Sequence, residues 1–222
     1  MSLTIRCSLL IVALLASGCD TMRKDRPVAS VTVDPPSRGD VWRGLASEPD
    51  KLRIQRIATA WASGLQEARK AGNAGDVRAE GRLLNPDAAM ERPAPTPGSY
   101  NCRMVTLGKV NGKGPAFQKF KPFYCFVQVD QDLLAIVKQG GSKRPAGRLW
   151  DDDSSKRLIF LGTLALGNED EAKPYGEDAR RDMAGAFERI GLFRWRLVIP
   201  YPTTGAKIDV FELTPVSNQP SE

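Results

Sequence analysis

The sequence predicts an α+β fold, with an N-terminal helical lead-in followed by a mainly antiparallel β domain, a small barrel or sandwich of about eight strands. Three observations carry that expectation. Apolar residues recur at helical spacing between Ile54 and Ala68. From Ser99 onward the texture changes to short alternating runs with turn residues between them. A tract with Pro93, Pro95 and Pro97 separates the two textures.

The lead-in opens at Ser47-Glu48-Pro49-Asp50. Ser caps a helix, Pro is tolerated in the first turn, and acids suit the positive end of the helix dipole. Ile54, Ile57, Trp61, Leu65 and Ala68 then form one apolar face, with Arg53, Arg56, Gln66 and Lys70 available for the other and Gly72 as the stop. Trp61 on that face is expected in the core. A shorter helix is expected from Asp76 to Leu84.

Strands are expected near 99–107, 117–129, 132–138, 145–150, 157–166, 183–190, 193–200 and 206–213, with breaks at Asn111-Gly112, Gly140-Gly141, Asp151 to Ser155, Gly191 and Thr203-Thr204-Gly205. The 183–190 run also fits a helix, through Met183, Phe187 and Ile190. Arg194-Trp195-Arg196 reads as a strand with Trp195 inward and the arginines outward. Cys102 and Cys125 are equidistant from the midpoint between Lys113 and Gly114. A hairpin centred there sets them opposite each other, within disulfide reach. Tyr100, Cys102 and Met104 then share a face with Phe123, Cys125 and Val127. Outside the cytosol a disulfide is expected, worth ~3 kcal/mol for a loop of that length; the alternative is two free buried thiols.

Ahead of the lead-in, Arg6 is followed by an apolar run from Cys7 to Ala16. That run is too short for a bilayer, which needs roughly 20 residues, and has the form of a secretory signal. Ala16-Ser17-Gly18-Cys19 resembles the lipobox of bacterial lipoproteins, cut before the Cys, whose thiol is lipidated. Asp20 resembles an inner-membrane retention signal. The expected organisation is therefore a signal peptide over 1–18 and a lipid-anchored, Pro-containing tether over 19–46. One globular domain follows over 47–215 (lead-in 47–96, β domain 97–215), then a disordered tail over 216–222. The expected location is the periplasmic face of the envelope, with the inner membrane favoured over the outer.

The chain has 222 residues, and loss of residues 1–18 takes its net charge from +6 to +5. That mild excess, with no Lys/Arg stripe interleaved with aromatics, gives no reason to expect nucleic acid as a partner. The absence of histidine removes Ser-His-Asp and Cys-His catalysis and histidine metal ligands. No CxxC occurs, so no cofactor or metal is expected. Asp151-Asp152-Asp153 lacks the spacing of a calcium loop and reads as a solvated turn. Lys143, Arg144 and Arg148 either bind an anion or balance those aspartates. The densest polar stretch supplies Tyr175, Asp178, Arg181 and Asp182, with Glu188 beyond. Arg180, Arg181 and Arg189 are expected to hold these acids ionised, which suits salt bridges better than proton donation.

Pro97-Gly-Ser-Tyr-Asn-Cys-Arg103, Gly147-Arg-Leu149, Phe160-Leu-Gly-Thr-Leu-Ala-Leu-Gly167, Pro174-Tyr-Gly176, Glu188-Arg-Ile-Gly191, Arg194-Trp-Arg-Leu-Val198 and Asp209-Val-Phe-Glu-Leu213 occur in that order. The series resembles the bacterial domain-of-unknown-function family DUF4893 over roughly Trp42 to Pro215. The resemblance implies an envelope location and a structurally important Cys pair, and it brings no activity or catalytic residue. The expected role is a non-catalytic binding module for an envelope protein, a lipid or a small ligand. The alternatives are a carboxylate-dependent envelope hydrolase using Asp178, Asp182 or Glu188, and a purely structural tether.

Overall fold

In the computed structural model, which describes residues 37–140, 143–167, 169 and 172–217, the lead-in is more broken than its apolar spacing implies. It comprises α1 (Asp40–Leu45), α2 (Glu48–Gln55), α3 (Ile57–Lys70) and α4 (Ala74–Ala79), then 3-10 turns at Gly81–Leu84 and Pro86–Ala88. Ser47 caps α2 as expected, its Oγ accepting the Asp50 N–H at 3.3 Å with Pro49 in the first turn. The expected single helix is interrupted at Arg56, whose guanidinium lies 4.8 Å from the Tyr201 ring centroid. All five residues of the apolar face are buried. Gly72 ends α3 at φ +89°, a conformation without steric cost only for glycine.

The stretch read as a signal peptide, Cys19 and Asp20 lie outside the described residues. Within the stretch read as tether, 40–45 is helical and Trp42 is buried, which corrects the start of the folded unit. Trp42 Nε1 donates to Asp152 Oδ1 at 3.0 Å, while Asp153 accepts from the Gly39 N–H at 3.0 Å and from Arg43 at 2.7 Å. The Asp151–Asp153 turn is therefore a docking point for α1 rather than a solvated bend, and Arg157 holds Asp152 at 2.6 Å from the other side. At the other end, the Val216 N–H donates to the Ser99 carbonyl at 3.0 Å, so the first residue of the expected tail is tied to the sheet.

The β domain has β1 (Gly98–Leu107), β2 (Phe117–Lys119), β3 (Phe123–Asp130), β4 (Leu133–Lys138), β5 (Lys143–Asp151), β6 (Arg157–Leu166), β7 (Asp182–Gly191), β8 (Arg194–Pro200) and β9 (Ile208–Pro215). From β3 to β9 each strand pairs antiparallel with the next, β1 pairs with β3, and β1 pairs with β9 along Tyr100–Leu107 to close the ring. The result is an eight-stranded antiparallel barrel, with β2 as an extra strand on the C-terminal end of β1. Closure removes the sheet edges that a sandwich would leave. The run expected at 117–129 is split at 120–122, where Pro122 has no N–H to give to a ladder. Residues 183–190 are strand.

Cys102 and Cys125 are disulfide-bonded with Cα atoms 6.1 Å apart, but not opposite each other. Cys102 pairs with Phe123, and Cys125 with Tyr100. The expected register is thus corrected by two residues, because 108–122 contains β2 and the Pro122 break instead of a plain hairpin turn. A shift of two preserves every side chain's face and makes the cysteines diagonal neighbours.

Alternation sorts the strands into two buried faces. Tyr100, Val127, Leu149, Phe160, Phe187 and Leu197 fill the interior. Val105, Leu107, Ile159, Ala186, Val198 and Val210 form an outer face against Trp61, Leu65 and Leu83 of the lead-in. Arg196 points outward as expected, yet it is fully buried under that lead-in. Its guanidinium donates to the carbonyls of Leu83 (2.9 Å), Asn85 (2.6 Å) and Pro86 (3.1 Å) and to Glu188 (2.7 Å), and stacks 4.9 Å from the Trp61 ring centroid. One strand residue thereby satisfies the carbonyl ends of the 3-10 turns, which would otherwise be buried without donors. Among the described residues, no helix is long and apolar enough to cross a membrane.

Candidate functional site

The barrel interior changes character along its axis. Toward the end where β7 gives way to β8, aromatic side chains fill it; Tyr100 and Trp195 meet edge to face with ring centroids 5.9 Å apart. Toward the opposite end, where β8 gives way to β9, the inward positions carry Met104, Leu164, Met183 and Ile199, with Pro145 on β5. Those side chains leave a cavity of about 220 Å³, whose rim includes Arg53 of α2 and Pro202, Thr203 and Thr204 of the β8–β9 loop. A second void of about 20 Å³, bounded by Cys102, Cys125, Leu197 and Leu213, shares Lys138, Pro145 and Phe211 with the first. The disulfide therefore lies beneath the cavity and braces its floor.

Four ionisable side chains face this space. Asp209 on β9 is 6 % exposed and accepts the Thr106 hydroxyl at 2.5 Å. Burial pushes its carboxyl up to about 6 against the opposing pull of that hydrogen bond. Lys138 on β4 lies with Nζ 4.4 Å from the Phe123 ring centroid, and burial pushes its ammonium below the usual lysine range. Asp182 starts β7 at the rim and accepts the Gly176 N–H at 3.0 Å. Burial raises it, the Gly176 N–H opposes the rise, and the charges of Asp50 and Asp178 add to it. Arg53 is held by Asp50 at 2.7 Å.

Of the polar residues singled out in the sequence, Asp182 lines the cavity and Tyr175 supports its rim. The Tyr175 hydroxyl donates to Asp50 at 2.6 Å and accepts the Ser47 N–H at 3.0 Å, tying the β6–β7 loop to the start of α2. Burial, with the Asp50 charge adding, pushes that phenol up to about 12. Asp178 bonds Arg181 at 3.0 Å, and Arg181 reaches Glu169 at 2.6 Å, so these three form a loop cluster that does not line the cavity. Arg181 holds Asp178 below its usual range, as expected. Asp182 goes the opposite way, because burial, with the charges of Asp50 and Asp178, outweighs the Gly176 N–H and Arg53. Glu188 lies on the outer face of β7 with Arg196 for partner, while Arg189 donates instead to the Glu91 carbonyl at 3.0 and 2.6 Å. Arg148 pairs with Asp130 at 2.7 Å and Arg144 donates to the Leu166 carbonyl at 3.0 Å, so neither balances Asp151–Asp153. The Lys143 side chain lies outside the described residues.

Sequence reasoning missed Asp209, Lys138 and Thr106. Strand parity carries the signal: Asp209 shares a face with Phe211 and Leu213, and Lys138 with Leu134 and Ile136. A charge on the apolar face of a strand marks either a strand end or an interior site. Among the described residues, no group of three or more Cys, Asp or Glu is placed to hold a metal ion.

The model of the family described as a domain of unknown function, DUF4893, matches residues 42–213, well over half of the chain. No curated protein and no solved structure matches it. The chain belongs to that family.

Proposed function

We propose that this member of the DUF4893 family is a lipid-anchored periplasmic protein whose barrel receives one small ligand at its open end. The observation that carries the binding role is the cavity of about 220 Å³, apolar in its walls and holding a few convergent charges, the usual composition of a small-molecule site. Drug-sized sites run to ~300–1,000 Å³, so the occupant is smaller than those or leaves part of itself outside the mouth. Small closed barrels hold single ligands elsewhere, which is support by fold analogy alone. The anchor rests on Ala16-Ser17-Gly18-Cys19 and the short apolar run before it. With two or more acyl chains, such an anchor holds a protein stably at a bilayer.

Hydrolysis is the less supported reading. It asks for two carboxylates about 5–10 Å apart across a scissile bond; of Asp178, Asp182 and Glu188 only Asp182 lines the cavity, and the other carboxylate there, Asp209, is engaged by the Thr106 hydroxyl. The test is native mass spectrometry of the full-length protein extracted from membranes in mild detergent. The expected result is a bound compound of small mass that is absent from Met104→Trp, a change that fills the cavity. Equal retention of the compound by wild type and variant would place it elsewhere on the chain and overturn the assignment.

A further inference from the structure

Of the four ionisable side chains that face the cavity, Arg53 is held by Asp50 and Asp182 by the Gly176 N–H, which leaves buried Asp209 and half-buried Lys138, and these two do not meet. Asp209 enters from β9 and Lys138 from β4, and on the ring β1 and β3 stand between those strands. Among the described residues Thr106 is the only side chain that donates to the Asp209 carboxylate. A carboxylate can accept about four hydrogen bonds. Among the described residues the buried side-chain polar atoms without a partner are Arg144 Nε and Trp195 Nε1, so the free oxygen of Asp209 reaches open space. Lys138 has the Phe123 ring beside it, and its N–H donors have no acceptor among the described residues. A buried carboxylate without a cation is costly, and a half-buried ammonium gains from an anion at bonding distance. The apolar part of the cavity lining includes Met104, Ile199 and Phe211.

We infer that the cavity selects a compact zwitterion, with its cationic group on Asp209, its anionic group on Lys138 and an apolar spacer along Met104, Ile199 and Phe211. The class is that of dipeptides and ω-amino acids, whose charges are separated by several bonds. α-Amino acids are disfavoured, since the two strands stand three inter-strand steps apart on an eight-stranded ring, each step about 4.8 Å. Burial raises the Asp209 carboxyl and lowers the Lys138 ammonium. Each shift marks a charge lacking the partner that such a ligand supplies. This inference rests on the cavity being a ligand site at all.

The test is calorimetric titration of full-length protein in detergent at neutral pH with five compounds: glycyl-leucine, aminohexanoate, hexylamine, hexanoate and hexanamide. The zwitterions should bind about ten-fold or more tighter than either singly charged compound, as charge-assisted bonds at both ends require. Asp209→Asn should bring aminohexanoate down to the affinity of hexanoate, and Lys138→Met should bring it down to that of hexylamine. If a variant does not fold, the five-compound ranking on the wild type still decides. Equal binding of hexanamide and aminohexanoate would keep the site and overturn the zwitterion. Binding of none of the five would overturn both readings.

Discussion

Asp209→Asn should make the protein more stable at neutral and alkaline pH, and the gain follows from the site's geometry. Asp209 is 6 % exposed, and burial raises its carboxyl from an ordinary 3.8 to about 6. The folded state therefore holds this proton more tightly than the unfolded chain. That contribution to stability is fully present below about pH 4 and is lost as pH rises through about 6. A rise of about 2 pH units at 1.36 kcal/mol each makes the loss about 3 kcal/mol. Asn keeps the shape and an oxygen for the Thr106 hydroxyl, but carries no charge at any pH. The variant's advantage should then grow from near zero at about pH 4 to as much as ~3 kcal/mol at about pH 8. Urea unfolding of dialysed, oxidised protein across that range, plotted as variant minus wild type, isolates the Asp209 contribution from every other titrating group. A difference that does not change with pH, or a variant less stable than wild type at pH 8, would refute the reasoning.

Other substitutions bear on the scaffold and the anchor. Arg196→Met should cost ~3–5 kcal/mol in denaturant unfolding, since it leaves Glu188 buried without its partner and three carbonyls without a donor. Arg196→Lys should recover little of that, because an ammonium lacks the planar fork those acceptors require. Cys102→Ala with Cys125→Ala should lower stability by ~3 kcal/mol, and non-reducing peptide mapping of the wild type should recover the two cysteines in one linked peptide. Gly162→Val should prevent closure of the barrel, seen as loss of cooperative melting. Even a Cβ there would come within 2.3 Å of the Ala146 carbonyl oxygen and 2.5 Å of the Phe160 ring. Intact-mass analysis of membrane-extracted protein should find an acylated Cys19 as the first residue, and Cys19→Ala should leave an unprocessed precursor.

The strands and the α2–α3 stripe were legible because each buries a face, and burial leaves a period in the sequence. α1 was not, since its six residues include a single buried one, Trp42, and one residue makes no period. The β1–β3 register was readable only to within two residues, because alternation is blind to a shift that returns every side chain to its own face. For the site, density of charge was a poor guide. Crowded polar residues such as Asp178 and Arg181 satisfy one another on a loop. Two of the four ionisable side chains that face the cavity stand instead among apolar neighbours, in Ile208-Asp209-Val210-Phe211 and Ile136-Val137-Lys138. Arg196 gave no sign of its burial because its acceptors are backbone carbonyls, which every residue possesses.

The methyl spectrum of methionine-labelled protein tests the ligand site most directly. Met104 and Met183 line the cavity, whereas Met90 is exposed outside it and paired with Arg189. Titration with a mixture of short zwitterions, amines and carboxylates should move the Met104 and Met183 resonances in a saturable way and leave Met90 in place. Unmoved Met104 and Met183 signals throughout, or saturable shifts confined to Met90, would contradict a ligand site in the open end of the barrel.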